Sequence, residues 1–239
     1  MPVSVEIADR EVRPADFARV AEYLTHVDTI FSTYKENSEI SRINRGEIAS
    51  LSYSKEMKEI FALANEAQVQ TKGFFNIKRG DGTLDPSGLV KGWAIQNASV
   101  LLINAGLSNF YIDIGGDVAT SGKDEMGEEW SIGVRNPFAR DEIIKLLYPK
   151  GGGVATSGTY IRGEHIYNPH TGNPPATDLV SLTVVGPHIY EADLFATAAF
   201  AMGKEGMAFI ENRQGYEGYA VDRNGTATMT SGFEKYTNL

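Results

Sequence analysis

Apolar residues recur along this chain with two periods, one near 3.6 and one of 2, which predict alternating helices and strands. Val3–Ile7 alternates as VSVEI and predicts a short strand. Across residues 14–30, Phe17, Val20, Leu24, Val27 and Ile30 keep helical spacing. In FSTYKENSEISRIN, residues 31–44, polar positions interleave with Phe31, Tyr34, Ile40 and Ile43. Ser38 there is placed to cap a helix whose first turn holds Glu39. Ser54 caps a further helix with Met57, Ile60, Phe61, Ala64 and Ala67 on its buried side. Asp85-Pro86-Ser87-Gly88 opens a long helix that carries Leu89, Val90, Trp93, Ala94 and Ile95 and continues to about Ala105. Strands are expected at Phe110–Ile114 and at residues 130–134, 154–160 and 179–185. The end of the chain predicts a helix over 206–212 and strands over 218–221 and 226–230 around an Asn224-Gly225 hairpin turn.

One predicted helix breaks its own pattern. Residues 191–202 read EADLFATAAFAM, with Phe195, Ala198, Ala199 and Met202 apolar and Ala192 and Ala196 small. Asp193 and Thr197 sit four residues apart, so both project from one face. Buried unpaired polar groups cost a few kcal/mol, so this carboxylate and hydroxyl need a partner. A hard cation is one such partner and a neighbouring backbone is another.

Strands alternate with helices and hairpins also occur, which gives an α+β class with mixed or antiparallel sheets and packed helices. At 239 residues, one domain over 1–239 or two intimately packed lobes can bury a large core. No apolar run reaches membrane-spanning length. The opening MPVSVEIADREV has no basic start and no apolar core, so no signal peptide is expected and the location is read as cytoplasmic as written, with a trimmed exported form the alternative. The absence of cysteine excludes disulfides, thiolate nucleophiles and cysteine metal sites. The formal charge of −9 argues against nucleic acid. An anionic substrate would need local positive charge or a recruited metal ion.

The segment TKGFFNIKRGDGTLDPSGLVKGW, starting at Thr71, holds the densest run of glycine and charge. Its helix start offers free N–H groups that could hold a phosphate, with Lys91 just inside. The alternative is that Asp85 or Ser87 caps the helix and Lys91 is solvated. Gly115-Gly116-Asp117 ends a strand, either for close approach of a ligand or as a hairpin turn. The stretch RGEHIYNPHTGNPP carries His165 and His170, while His26 reads as a solvent-edge residue. No triad, zinc-protease or Walker motif is present.

Six stretches taken together resemble the ApbE family, the FAD:protein FMN transferases. They are FSTYKENSEISRIN, DPSGLVKGWAI, NFYIDIGGDV, VATSGTY, HIYNPHTG and ADLFATAAFAMG, in the family's order and rough spacing. The resemblance implies an ApbE-like, T-fold-like architecture. It also implies magnesium-dependent transfer of FMN from FAD to a Thr or Ser hydroxyl of an acceptor flavoprotein, releasing AMP. An FAD diphosphatase and a non-catalytic flavin-binding protein are the alternatives.

The family's metal site falls on Asp193, Thr197 and the Gly88 carbonyl, with the Ala196 carbonyl a weaker choice. Its FAD contacts fall on Tyr34, Phe75, Asn76, Asp85, Lys91, Ser157 and Tyr167. His165 is implied as general base, a role suited to an imidazole pKa of roughly 6.5. Asp193 is the alternative base. The chain departs from the family pattern in two places. It starts at Met1-Pro2-Val3-Ser4, so the flavin contact of the usual Met-Gly-Thr-Pro strand is missing or shortened, and it abbreviates the segment between Phe75 and Asp85, with Asn76 where aspartate is usual. It therefore resembles a compact branch.

Overall fold

The computed structural model describes residues 1–159 and 166–237, without the side chain of Arg140. Nine strands and six α-helices are present among them. The strands are β1 (Val3–Ile7), β2 (Phe110–Ile114), β3 (Asp117–Ser121), β4 (Ile132–Asn136), β5 (Ala139–Leu147), β6 (Gly153–Gly158), β7 (Leu179–Gly186), β8 (Glu217–Asp222) and β9 (Ala227–Met229). The helices are α1 (Pro14–Phe31), α2 (Glu39–Asn44), α3 (Lys55–Gln70), α4 (Ser87–Asn104), α5 (Ile189–Met202) and α6 (Gly206–Glu211). Seven strands form one sheet in the order β1-β2-β3-β6-β7-β8-β9, and β4-β5 form a separate ribbon. Among the described residues every pairing is antiparallel, so of the two sheet types expected the antiparallel one is seen there.

Strand alternation explains how the sheet is covered on both faces. Ala119, Ala155, Val184 and Ala220 point into a core shared with all six helices. Their neighbours Val118, Val154, Val185, Tyr219 and Val221 point the other way. There they meet Ile132, Val134 and Leu147 of the ribbon and Phe233 of the C-terminal turn. Strand β7 is buried on both faces, which is why LVSLTVV is apolar with little alternation.

The caps form where the sequence places them. Ser38 Oγ accepts from the Ser41 N–H at 3.2 Å, and Ser54 Oγ from the Met57 N–H at 3.1 Å. Two strands go beyond the expected pattern, β3 and β5. The strand expected at 130–134 lies two residues later, as β4. The Gly115-Gly116 pair forms the β2–β3 hairpin turn, with φ of 64° and 95° that glycine adopts freely. No described helix is long and apolar enough to cross a membrane.

Candidate active site

Helices α4 and α5 cross at Gly92. A Cβ there would lie 2.9 Å from Asp193 Cβ, 3.0 Å from Tyr190 Cα and 3.1 Å from the Ile189 oxygen. Only glycine permits this approach. It brings the Gly92 N–H to Asp193 Oδ2 at 2.9 Å. In a regular helix that N–H would face the Gly88 carbonyl four residues back. Sharing it with Asp193 leaves the Gly88 oxygen with more acceptor capacity for another partner.

Around Asp193 the polar groups converge. Lys91 Nζ lies 3.9 Å from Asp193 Oδ1 and forms a closer ion pair with Asp117 Oδ2. Asp117 Oδ1 accepts from the Thr156 N–H at 3.1 Å. Thr197, one turn along α5, has its hydroxyl 3.4 Å from Ser157 Oγ on β6. A Cβ on Gly88 would lie 3.4 Å from the Phe75 ring and 3.7 Å from Thr197 Cγ2, so the first turn of α4 abuts Thr197. Gly88, Lys91, Ser157, Asp193 and Thr197 are thus brought together from α4, α5 and β6.

Asp193 is only 4% exposed. Burial pushes its carboxyl up to about 7; Lys91 opposes that rise and the adjacent Asp117 adds to it. The cluster offers a carboxylate, two hydroxyls and a backbone carbonyl. Such an all-oxygen set fits a hard cation like magnesium. No group of three or more His, Cys, Asp or Glu residues is gathered for a metal among the described residues.

Of the other expected residues, Tyr34, Phe75, Asn76, Asp85 and Tyr167 lie outside the helices and strands. Asp85 pairs with Arg79 and accepts from the Ser87 N–H at 3.1 Å, so it steadies the helix start whose N-cap is Pro86. Asn76 Oδ1 accepts from the Lys78 N–H at 2.9 Å. Phe75 is 5% exposed and packs in the main core rather than on an open face. Tyr167 is half-buried, and burial raises its hydroxyl pKa beside the charges of Arg79, Asp85 and Asp81. Tyr34 follows α1 and is 97% exposed. His165 lies outside the described residues. His170 contacts the Lys72 carbonyl at 3.1 Å and stacks edge-on against Phe74, which docks its turn on the end of α3.

Two residues were not among the expected site set. Asp117 enters because β3 begins at that residue, just past the hairpin turn; an aspartate directly after two glycines was its signal. Asn44, at the end of α2, holds Leu84 by both backbone groups, at 2.9 Å to its carbonyl and 2.8 Å from its N–H. A surface cavity of about 430 Å³, lined by Glu6, Phe17, Met126, Trp130 and others, shares no residue with the cluster.

The family model described as the ApbE family matches residues 1–83 and 77–220. The chain belongs to the ApbE family. The chain is 28% identical over 156 residues to an FAD:protein FMN transferase of Klebsiella pneumoniae, covering 62% of this chain and 45% of the relative. Its identity to one of Vibrio cholerae is 32% over 141 residues, covering 55% and 42%. The chain therefore spans less than half the length of the curated relatives it matches. The solved ApbE protein of Thermotoga maritima superposes with a TM-score of 0.86 at 21% identity, covering 99% of this chain and 96% of that one. The flavin transferase ApbE of Vibrio cholerae gives 0.83 at 22% identity, covering 98% and 95%. At such identities these two structures establish the ApbE architecture.

Proposed function

We propose that this ApbE-family chain transfers FMN from FAD to a threonine or serine hydroxyl of a target flavoprotein, in a magnesium-dependent reaction. The observation that carries the reading is the buried convergence of Asp193, Thr197, Ser157 and Lys91 at the glycine-opened start of α4. Family membership and the names of the matched relatives support it.

In the reaction the acceptor oxygen bonds to the FMN-side phosphorus. The bond from that phosphorus to the bridging oxygen breaks, and AMP leaves with that oxygen. The acceptor proton passes to a base. His165 holds that role on the sequence match. Asp193 would be a poorer base, because its carboxylate would hold the cation. Asp193, Thr197 and the Gly88 carbonyl would hold magnesium, with the Ala196 carbonyl the weaker choice. When bound, that ion supplies neutralisation of the pyrophosphate oxygens, which an acidic chain cannot supply by net charge. On this reading Lys91 would add a second positive charge, and Ser157 a hydroxyl donor. On the family's pattern, Tyr34, Phe75, Asn76, Asp85 and Tyr167 would contact the nucleotide.

The test combines the protein, FAD, magnesium chloride and an acceptor flavoprotein domain. The expected outcome is a covalent FMN adduct on the acceptor by mass spectrometry, with an equal amount of AMP. AMP formed equally fast without acceptor would make the chain an FAD diphosphatase. FAD binding with no AMP under either condition would make it a flavin-binding protein without catalysis.

A further inference from the structure

Asp117 is 1% exposed, and the reaction as written gives it no task. Its position explains its two contacts. Strand β3 pairs with β6 through Val118 with Val154 and Ala119 with Gly153. Continuing that register would set Thr156 opposite Gly116, which is already in the turn. The Asp117 side chain takes over there, and Oδ1 accepts the Thr156 N–H at 3.1 Å. Oδ2 is buried without a hydrogen bond of good geometry, and the Lys91 ammonium meets it as an ion pair. The same ammonium is 3.9 Å from Asp193 Oδ1. One lysine thus stands between two buried carboxylates, nearer to the one that binds nothing in the reaction.

We propose that Asp117 is a positioning residue: it draws the Lys91 ammonium aside, close enough to balance Asp193 but not to occupy its carboxylate. This rests on the cation assignment above. Charge logic gives the expected behaviour. Removing the Asp117 charge leaves Lys91 with Asp193 as its nearest carboxylate, so magnesium has to displace a full ion pair. Removing Lys91 instead leaves two carboxylates facing one another in a buried site, which is costly without a cation.

The test uses Asp117→Asn, Lys91→Met and the double variant. Asparagine keeps an oxygen for the Thr156 N–H, so loss of charge is separated from loss of the sheet contact. In EDTA, Lys91→Met should lower the melting temperature most. Adding Asp117→Asn should recover about 2–4 °C of that loss. In magnesium titrations followed by calorimetry, Asp117→Asn should weaken binding about tenfold, and adding Lys91→Met should restore it. Strictly additive melting shifts would overturn the proposal, as would unchanged magnesium affinity in Asp117→Asn. A wild-type protein that takes up no magnesium would sink the cation assignment instead. The metal-free melting cycle would still decide whether Asp117 holds Lys91.

Discussion

The two halves of the proposed site are built differently. The half around Asp193 rests on regular elements, and its groups are held by neighbours on other elements: the Gly92 backbone by Asp193 of α5, the Asp117 side chain by β6, the Thr197 hydroxyl by Ser157. The half around Tyr34, Asn76, Asp85 and Tyr167 rests on loops, and most of its contacts are local. Asn76 bonds a backbone two residues away, Asp85 does the same, and Tyr34 touches solvent over nearly its whole surface. A charged centre needs fixed geometry before the reaction, because preorganised charge avoids reorganisation during it. A flat nucleotide ring can be gripped by groups that settle on it afterwards. Substitutions in the first half should therefore break chemistry or folding, and those in the second should mainly move FAD affinity.

Asp193→Ala is the sharpest break. AMP release should fall on the order of a thousandfold, since a metal's charge stabilisation is worth several kcal/mol at about 1.4 kcal/mol per tenfold. Magnesium dependence should fade with it. Stability to urea should change little, because the carboxylate is itself an awkward buried group. A fully active variant would sink the assignment. Gly92→Ala follows. Alanine favours a helix by about 0.5–1 kcal/mol over glycine. Its Cβ, however, would press on Asp193 Cβ and on the backbone of Tyr190 and Ile189, none of which is a flexible tip. Overpacking of that kind costs about 1–3 kcal/mol, so urea unfolding should show net destabilisation. A more stable Gly92→Ala protein would mean that the helices do not cross this closely.

The same contrast decides what could be seen in the sequence. Helix α5 was legible because Asp193 and Thr197 break an otherwise apolar pattern. The caps at Ser38 and Ser54 were legible because capping is local chemistry. Strand β5 was not. Its run of Glu142, Ile143, Ile144, Lys145 and Leu146 suits a helix as well as a strand, and only pairing with β4 across a bulge decides it. Asp117 was visible as a residue after two glycines, and the turn itself was one of two readings open for that stretch. Its meeting with Lys91, 26 positions earlier in the chain, depends on how β3 stacks beside α4, which no local pattern encodes. Phe75 was expected to contact FAD; in the structure it packs in the core with its ring beside Gly88. An aromatic residue beside glycines reads equally well as ligand contact or as filler.

In the loop half, Asn44→Ala tests whether the turn before α4 is held from outside. Two hydrogen bonds to Leu84 would go, each worth about 0.5–1.5 kcal/mol and toward the lower end at this exposure. The Leu84 amide should exchange with deuterium faster, and the KM for FAD should rise a few-fold while kcat changes little. A kcat loss without a KM change would place Asn44 with the charged half. Tyr34→Ala should have the smallest effect and the clearest separation. A side chain 97% exposed contributes little to folding, so unfolding free energy should stay within about 0.5 kcal/mol of wild type. An aromatic stack on flavin or adenine is worth about 1 kcal/mol, so the KM for FAD should rise about fivefold. That combination, affinity lost with stability intact, is what a ring waiting in solvent for its partner predicts. If FAD affinity is unchanged, Tyr34 has no place in the nucleotide half, and that half begins at Asn76.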